Sequence, residues 1–126
     1  MPAMPAPAAA PPAPPALPVL AMDVLNELRE IMGDEYLGLV RLFLEDAPSH
    51  IERLRSAAAH NDIAGMVAPS HTLKSSSANL GALALSAVAK RIELGARTQL
   101  LPNPGFAVKM LETEFQRTRA ALQALN

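Results

Sequence analysis

The chain from Met22 onward repeats apolar residues every three or four positions, a spacing that predicts amphipathic helices. Asp23 and Gly33 are expected to cap the two ends of a first short helix. Asp34 is expected to cap a second helix, which Pro48 should bend or split. The residues expected to face the core from these two helices are Val24, Leu25, Leu28, Ile31, Leu37, Val40, Leu44, Ile51 and Leu54.

A third predicted helix begins at Asn61-Asp62 and extends to about Asn79. Pro69 lies two positions before His71, so it is expected to kink this helix or to mark its beginning. The residues expected to face inward are Ile63, Met66, Val67, Ser70, Leu73, Ser77 and Leu80. The opposite side of the helix carries mostly short side chains.

Gly81 predicts a break, after which a fourth helix continues and ends near Arg97. The run Pro102-Asn103-Pro104-Gly105 predicts a loop, and a fifth helix is expected from about Phe106 to Leu125. The fourth helix continues the apolar pattern with Leu83, Leu85, Val88, Ile92 and Leu94. The residues of the fifth helix expected to face inward are Val108, Leu111, Phe115, Leu122 and Leu125.

Four long helices with short connections favour an all-α fold, an antiparallel four-helix bundle with a short additional N-terminal helix. The chain has only four aromatic residues, so the core must consist of aliphatic side chains, which suit helix packing. Residues 1–18 contain eight Pro and seven Ala, a composition that favours extended conformers and cannot form a core. We therefore expect residues 1–20 to be a disordered Pro/Ala-rich linker and residues 21–126 to be the bundle.

Composition excludes several classes of function. The net charge is -1 and the 11 basic residues are scattered, which argues against nucleic acid binding. The chain lacks Cys, and His50 and His60 have no metal-site spacing, so neither a metal nor a cofactor is expected. No apolar run is long enough to cross a membrane, so we expect no direct membrane contact and a cytoplasmic location.

His71 is the strongest candidate for chemistry. A neutral imidazole on a helix surface offers a nucleophilic nitrogen, and Lys74, one turn later, can compensate the charge of a phosphoryl group. Positions three and four apart share a helix face, which places short side chains around the ring. These candidate docking residues are Ala64, Val67, Ala68, Ser75 and Ala78. A partner protein is therefore expected to approach the ring closely.

The run His71-Thr72-Leu73-Lys74, followed by Ser76-Ser77-Ala78-Asn79-Leu80-Gly81-Ala82, resembles the signature of histidine-containing phosphotransfer (HPt) domains of two-component phosphorelays. The resemblance spans about residues 22–125. It implies a four-helix bundle that accepts a phosphoryl group from an aspartyl phosphate of one receiver domain and passes it to another. The chain departs from the usual pattern at Ser75, where the family has Gly.

The same resemblance implies the roles of individual residues. His71 would accept the phosphoryl group and Lys74 would stabilise its charge. Glu93, 22 positions after His71, would accept a hydrogen bond from the imidazole and orient it. Receiver domains would be the partners, and Val67, Leu25 and Met22 are candidates for apolar contacts with them. A monomer is expected, and the leader favours a module of a hybrid sensor kinase over a free-standing protein.

Three other functions compete with this interpretation. A non-catalytic helical interaction module, in which His71 has no chemical role, is the main alternative. The dimerisation helices of histidine kinases also carry a phosphorylated His, but an acidic residue typically follows it, whereas Thr72 follows here. No Gly-rich nucleotide loop is present, so the chain is not expected to be an autonomous kinase. A serine hydrolase is disfavoured, because Ser75-Ser76-Ser77 lacks a nearby acid and the Gly-x-Ser-x-Gly turn.

Overall fold

A computed structural model describes residues 17–125 of the chain. These residues form five α-helices and one short 3-10 turn, and they contain no β-strand. The elements are α1 (Met22–Met32), α2 (Glu35–Ala59), the 3-10 turn (Ala64–Met66), α3 (Val67–Asn79), α4 (Leu83–Thr98) and α5 (Pro104–Ala124). The predicted leader lies outside the described residues except for residues 17–20.

The four long helices form a closed ring of neighbours. Helix α2 packs against α3 and α5, and α4 packs against the same two helices. Short connections make consecutive helices run in opposite directions. Helix α1 is the additional element and packs against α2. The predicted all-α four-helix bundle with a short N-terminal helix is therefore confirmed.

The core is aliphatic, as the composition predicted, with Tyr36, Phe43 and Phe115 as its buried aromatic residues. Most residues predicted to face inward are buried or half-buried. Two predictions were wrong, since Ile31 and Leu37 are exposed, Ile31 to 78%. In α2 the buried positions follow the register Tyr36, Val40, Phe43, Ala47, Ile51 and Leu54. Leu37 lies one residue outside that register, about 100° around the helix from Tyr36.

Helix ends differ from the sequence prediction at three places. Helix α3 begins at Val67, after the 3-10 turn, and not at Asn61-Asp62 as predicted. Helix α1 is preceded by Ala21, not by Asp23, which lies in the first turn and there complements the positive end of the helix dipole. Helix α5 begins at Pro104 within the predicted loop. Asn103 caps it, because its side-chain oxygen accepts a hydrogen bond of 3.2 Å from the Phe106 N–H. Pro at the first helical position removes only an N–H that has no partner within the helix.

Both internal prolines are accommodated within helices. Helix α2 continues through Pro48 and is not split. Pro69 is the third residue of α3, which confirms the predicted helix start close to it. The first four N–H groups of a helix lack intrahelical partners, so Pro69 removes no hydrogen bond there. His71 therefore lies in regular helix immediately after this first turn.

The connection between α3 and α4 anchors the segment before α1. The Ala21 N–H donates to the Gly81 carbonyl at 2.7 Å, and the Ala84 N–H donates to the Pro18 carbonyl at 3.1 Å. Leu20 packs against the core. Residues 18–21 thus lie across the turn at one end of the bundle. Among the described residues, no helix is long and apolar enough to cross a membrane.

Substitution of Gly81 tests this connection. Gly81 has a φ of +75°, and a Cβ atom there would lie 3.1 Å from both the Ala21 carbonyl oxygen and the Val24 Cβ. We expect Gly81→Ala to lower the free energy of unfolding by about 1 to 3 kcal/mol, measured by urea denaturation. Gly38→Ala is the matched control, because Gly38 is helical and a Cβ there contacts nothing within 4 Å. That variant should be about 0.5 to 1 kcal/mol more stable than the wild type. Equal stability of the two variants would contradict the strained turn.

Candidate functional site

Helix α3 presents His71 on its outer side and small polar residues on its inner side. Ser70 and Ser77 are fully buried, beside Leu73. The Ser70 hydroxyl donates to the Met66 carbonyl at 2.7 Å, and the Ser77 hydroxyl donates to the Leu73 carbonyl. These bonds satisfy both buried hydroxyls within the helix and its preceding turn, so neither needs a partner on another element.

Helix α4 is joined to α3 at the level of the candidate site. The Ser86 hydroxyl on α4 donates to the Lys74 carbonyl on α3 at 2.8 Å. Two turns further along α4, Glu93 faces α3 and is almost fully buried. The imidazole of His71, 52% exposed, reaches this carboxylate from the other helix.

Three positively charged or hydrogen-donating side chains converge on Glu93. His71 Nδ1 lies 3.0 Å from Oε2, and Lys74 Nζ lies 2.7 Å from Oε1. Arg97 Nε and Nη2 donate to Oε2 at 2.9 and 2.7 Å. The carboxylate itself is only 5% exposed. A buried carboxylate is stable when it is paired and hydrogen-bonded in this way.

These contacts keep Glu93 ionised. The Lys74 ammonium has the largest effect and, with Arg97 and His71, lowers the pKa of Glu93 to about 2, although burial acts in the opposite direction. At neutral pH the carboxylate is therefore an acceptor only.

The ionised Glu93 fixes the tautomer of His71. A carboxylate accepts hydrogen bonds and cannot donate one, so Nδ1 must carry the proton of their 3.0 Å contact. In the neutral ring the lone pair then resides on Nε2. Within residues 17–125, Nε2 has no hydrogen-bond partner. The arrangement therefore offers an accessible nucleophilic nitrogen with a fixed ring orientation.

The predicted docking residues surround this ring on the outer side of α3 and the preceding turn. Ala64, Ala68, Ser75 and Ala78 are exposed, and Val67 is half-buried. The hydroxyls of Ser70, Thr72, Ser76 and Ser77 bond back to carbonyls of α3 or its preceding turn. The Ser75 hydroxyl makes no such bond among the described residues. Leu25 is fully buried in the core, so its predicted part in apolar docking was wrong, while Met22 is exposed.

Arg97 is the member of this cluster to which the sequence analysis gave no role. Its spacing of four residues from Glu93 was the available signal, because such pairs share a helix face. His50 and His60 lie elsewhere, and no group of His, Asp and Glu side chains in the described part of the chain forms a metal site.

A family model and a solved structure both relate this chain to histidine-containing phosphotransfer domains. Residues 38–125 match the Hpt domain family. The fold is similar to the crystal structure of histidine-containing phosphotransfer protein B (HptB) from Pseudomonas aeruginosa PAO1, with a TM-score of 0.81. The two sequences are 30% identical, and the match covers 85% of this chain and 93% of the other. No curated protein sequence matches this chain.

The Glu93 contacts predict a specific dependence of stability on acid. The folded-state pKa of Glu93, about 2, lies below its ordinary value of 4.5, so ionised Glu93 stabilises the fold above pH 4.5. That contribution should be lost as the pH falls from about 4.5 to about 2. We expect Glu93→Gln to be less stable than the wild type at pH 7 and this difference to shrink across that interval, measured by urea denaturation at each pH.

Glu45→Gln is the control for net charge, because Glu45 is exposed and belongs to none of the ion pairs found in residues 17–125. A difference between Glu93→Gln and the wild type that stayed constant from pH 7 to pH 2 would contradict the buried ion cluster.

Proposed function

Because the chain belongs to the histidine-containing phosphotransfer family, we propose that His71 carries the phosphoryl group. The chain is a phosphorelay intermediate: it exchanges phosphoryl groups with the aspartates of receiver domains. The observation that carries the assignment is the contact of 3.0 Å between His71 Nδ1 and the buried Glu93. Nε2 is left without a partner among residues 17–125, in a side chain that is 52% exposed. His50 and His60 have no carboxylate partner among the described residues.

The transfer begins with attack of the His71 Nε2 lone pair on the phosphorus of an aspartyl phosphate in a receiver domain. The N–P bond forms as the bond between phosphorus and the aspartate oxygen breaks, and the receiver carboxylate leaves with that electron pair. Nε2 carries no proton, so none has to be removed. In the onward step the carboxylate of a second receiver attacks the phosphorus, and the N–P electron pair returns to Nε2.

Glu93 assists because the ring becomes positively charged as Nε2 donates its lone pair. The Nδ1 proton stays between His71 and the carboxylate, whose negative charge stabilises the developing imidazolium. The carboxylate also holds the ring in one orientation. We therefore assign Glu93 a positioning and electrostatic role, and it does not contact the phosphoryl group.

Lys74 is proposed to stabilise the phosphoryl oxygens. Its ammonium is about one helical turn from His71 and is partly exposed, so the flexible side chain can reach toward the outer nitrogen. Phosphoryl transfer depends chiefly on positioning and charge compensation, which a lysine provides. No residue of the described chain is needed as a proton acceptor.

The receiver is proposed to dock on the short side chains around His71. Ala64, Ala68, Ser75 and Ala78 are exposed and have short side chains, so they leave room for the partner's aspartyl phosphate to approach Nε2. Val67 supplies an apolar contact at the edge of this face. A small, transient interface suits a relay in which two receivers must alternate.

The wider context is also a proposal. We propose that the domain acts as a monomer in the cytoplasm, where it meets its receivers, and as a module of a hybrid sensor kinase. The Pro/Ala-rich composition of residues 1–18 supports a spacer between domains. The scattered basic residues give no support for a nucleic acid partner. A purely structural interaction module is not favoured by the family match.

The primary test follows radioactive phosphate from a panel of phosphorylated receiver domains to the wild type and to His71→Gln. We expect label on the wild type and none on His71→Gln, with the label stable in base and lost in acid, as for phosphohistidine. His71→Gln should keep its helical circular dichroism and its stability within about 1 kcal/mol, because the ring is half exposed.

His60→Gln is the matched control, because it removes an exposed histidine at the end of α2 and keeps His71. This variant should accept label as the wild type does. Label that persists on His71→Gln would refute the assignment of His71. A folded wild type that accepts no label from any receiver would favour the interaction module.

A second test concerns the docking face. We expect Ser75→Arg to block transfer from phosphorylated receivers, because a long charged side chain would hold the partner away from Nε2. Its free energy of unfolding should stay within about 0.5 kcal/mol of the wild type, since Ser75 is exposed. Thr113→Arg, an exposed position on α5, which does not pack against α3, is the matched control. Unchanged transfer rates in Ser75→Arg would remove Ser75 from the docking face.

A further inference from the structure

Arg97 completes the ion cluster without contacting His71. On the basis of the function proposed above, we infer that Arg97 is a positioning residue of the transfer: it neutralises Glu93 while Lys74 moves to the phosphoryl group. The two cations, Lys74 and Arg97, contact different oxygens of the Glu93 carboxylate. Lys74 lies against Oε1, whereas Arg97 donates twice to Oε2, the oxygen that also faces His71 Nδ1.

Lys74 has two competing partners in this site, the phosphoryl group and Glu93, and the Arg97 contacts allow it to leave Glu93. Lys74 is required near the phosphoryl oxygens, yet its ammonium lies 2.7 Å from Glu93 Oε1 in the structure. Movement of Lys74 to the phosphoryl group takes a full positive charge away from a carboxylate that is only 5% exposed. A buried carboxylate that loses its cation is strongly destabilised. Without a second cation, Glu93 would therefore retain Lys74 and oppose the transfer.

Arg97 is suited to remain on Glu93 when Lys74 leaves. It occupies the other oxygen, so the departure of Lys74 does not disturb its two hydrogen bonds. Its guanidinium is always protonated, and its planar donors fix its position relative to the carboxylate. It lies four residues after Glu93 on the same helix, so this contact can persist without any rearrangement between helices. Arg97 thus keeps the Glu93 charge compensated throughout the reaction.

Other basic residues of α4 do not share this role. Lys90 and Arg91 are exposed and form no ion pair within the described residues. Arg91 is two residues before Glu93, so it points to the opposite side of the helix, where it borders an apolar groove with Phe106. Arg91→Gln is therefore a matched control that removes the same charge from the same helix.

The experiment uses two phosphoryl donors in parallel: phosphoramidate, a small donor that needs no docking, and a phosphorylated receiver domain. Label on His71 is counted after subtraction of the His71→Gln signal. We expect Arg97→Gln to slow phosphorylation about fivefold with both donors, a modest loss for one exposed ion pair, while the KM for the receiver stays unchanged. Arg97→Lys, which keeps the charge, should recover most of the rate, and Arg91→Gln should match the wild type.

A double-mutant cycle tests whether Arg97 acts through Glu93 or directly on the phosphoryl group or the receiver. In a Glu93→Gln background there is no carboxylate charge to neutralise, so we expect Arg97→Gln to cause no further loss of rate. An equal loss in both backgrounds would overturn the inference, because Arg97 would then act on the phosphoryl group or the receiver itself. A loss seen only with the receiver, as a higher KM, would also overturn it and identify a docking contact.

The outcomes for the inference and for the proposed function are distinct. If the wild type reacts at His71 and Arg97→Gln reacts equally fast with phosphoramidate, the positioning role of Arg97 is refuted and the proposed function stands. If neither donor labels His71 in the folded wild type, the proposed function fails, and the inference fails with it.

Discussion

The ion cluster around Glu93 is the interaction on which the rest of the site depends. A carboxylate removed from water would ordinarily be protonated or expelled from the protein interior. Here Lys74 and Arg97 supply two full positive charges and His71 a hydrogen bond. Because these partners come from both α3 and α4, the cluster fixes the register between the two helices. The orientation of the imidazole is therefore a consequence of helix packing as much as of local sequence.

Small polar side chains are buried on the inner side of α3. The inner side of α3 buries Ser70 and Ser77, which occupy little space, and both hydroxyls are satisfied by carbonyls of their own segment. Larger residues at these fully buried positions would overpack the core beside α3. Ser86 then adds a direct bond from α4 to the Lys74 carbonyl. Buried serines and a bond from α4 thus support the segment of α3 that carries His71 and Lys74.

The helices and most of their buried faces could be predicted from the sequence, because an aliphatic core leaves a clear repeat of three and four residues. Errors arose where that repeat is ambiguous. Leu37 fits the helical spacing as well as Tyr36 does, and only packing against α1 and the rest of the core selects Tyr36. Ile31 is a similar case, since it fits the repeat of the first helix but is exposed. Asp23 was misplaced as a cap because the segment before α1 is held instead by the Gly81 carbonyl, a tertiary contact that local sequence does not encode.

Some features of the candidate site could likewise be predicted from the sequence, and others depend on tertiary packing. His71 and Lys74 follow from a local motif, and the structure brings both to Glu93, which is distant in sequence. The pairing of Arg97 with Glu93 has ordinary helical spacing, and such pairs are usually exposed and weak. Only the burial of Glu93 makes this pair different, and burial depends on how α3 and α4 pack. Its importance was therefore not apparent from the sequence.

A carboxylate at position 93 places requirements on the site that a neutral amide would not. An amide oxygen can also accept a hydrogen bond from Nδ1 and orient the ring, and it needs no cation. In the proposed transfer the carboxylate would stabilise the charge of the phosphorylated ring more strongly, but it also attracts Lys74, the lysine proposed to bind the phosphoryl oxygens. With two full cations for one carboxylate, the cluster has more positive charge than Glu93 needs. In the proposed mechanism Lys74 then leaves for the phosphoryl oxygens while Arg97 remains on Glu93, so that the carboxylate stays paired before and after His71 is phosphorylated.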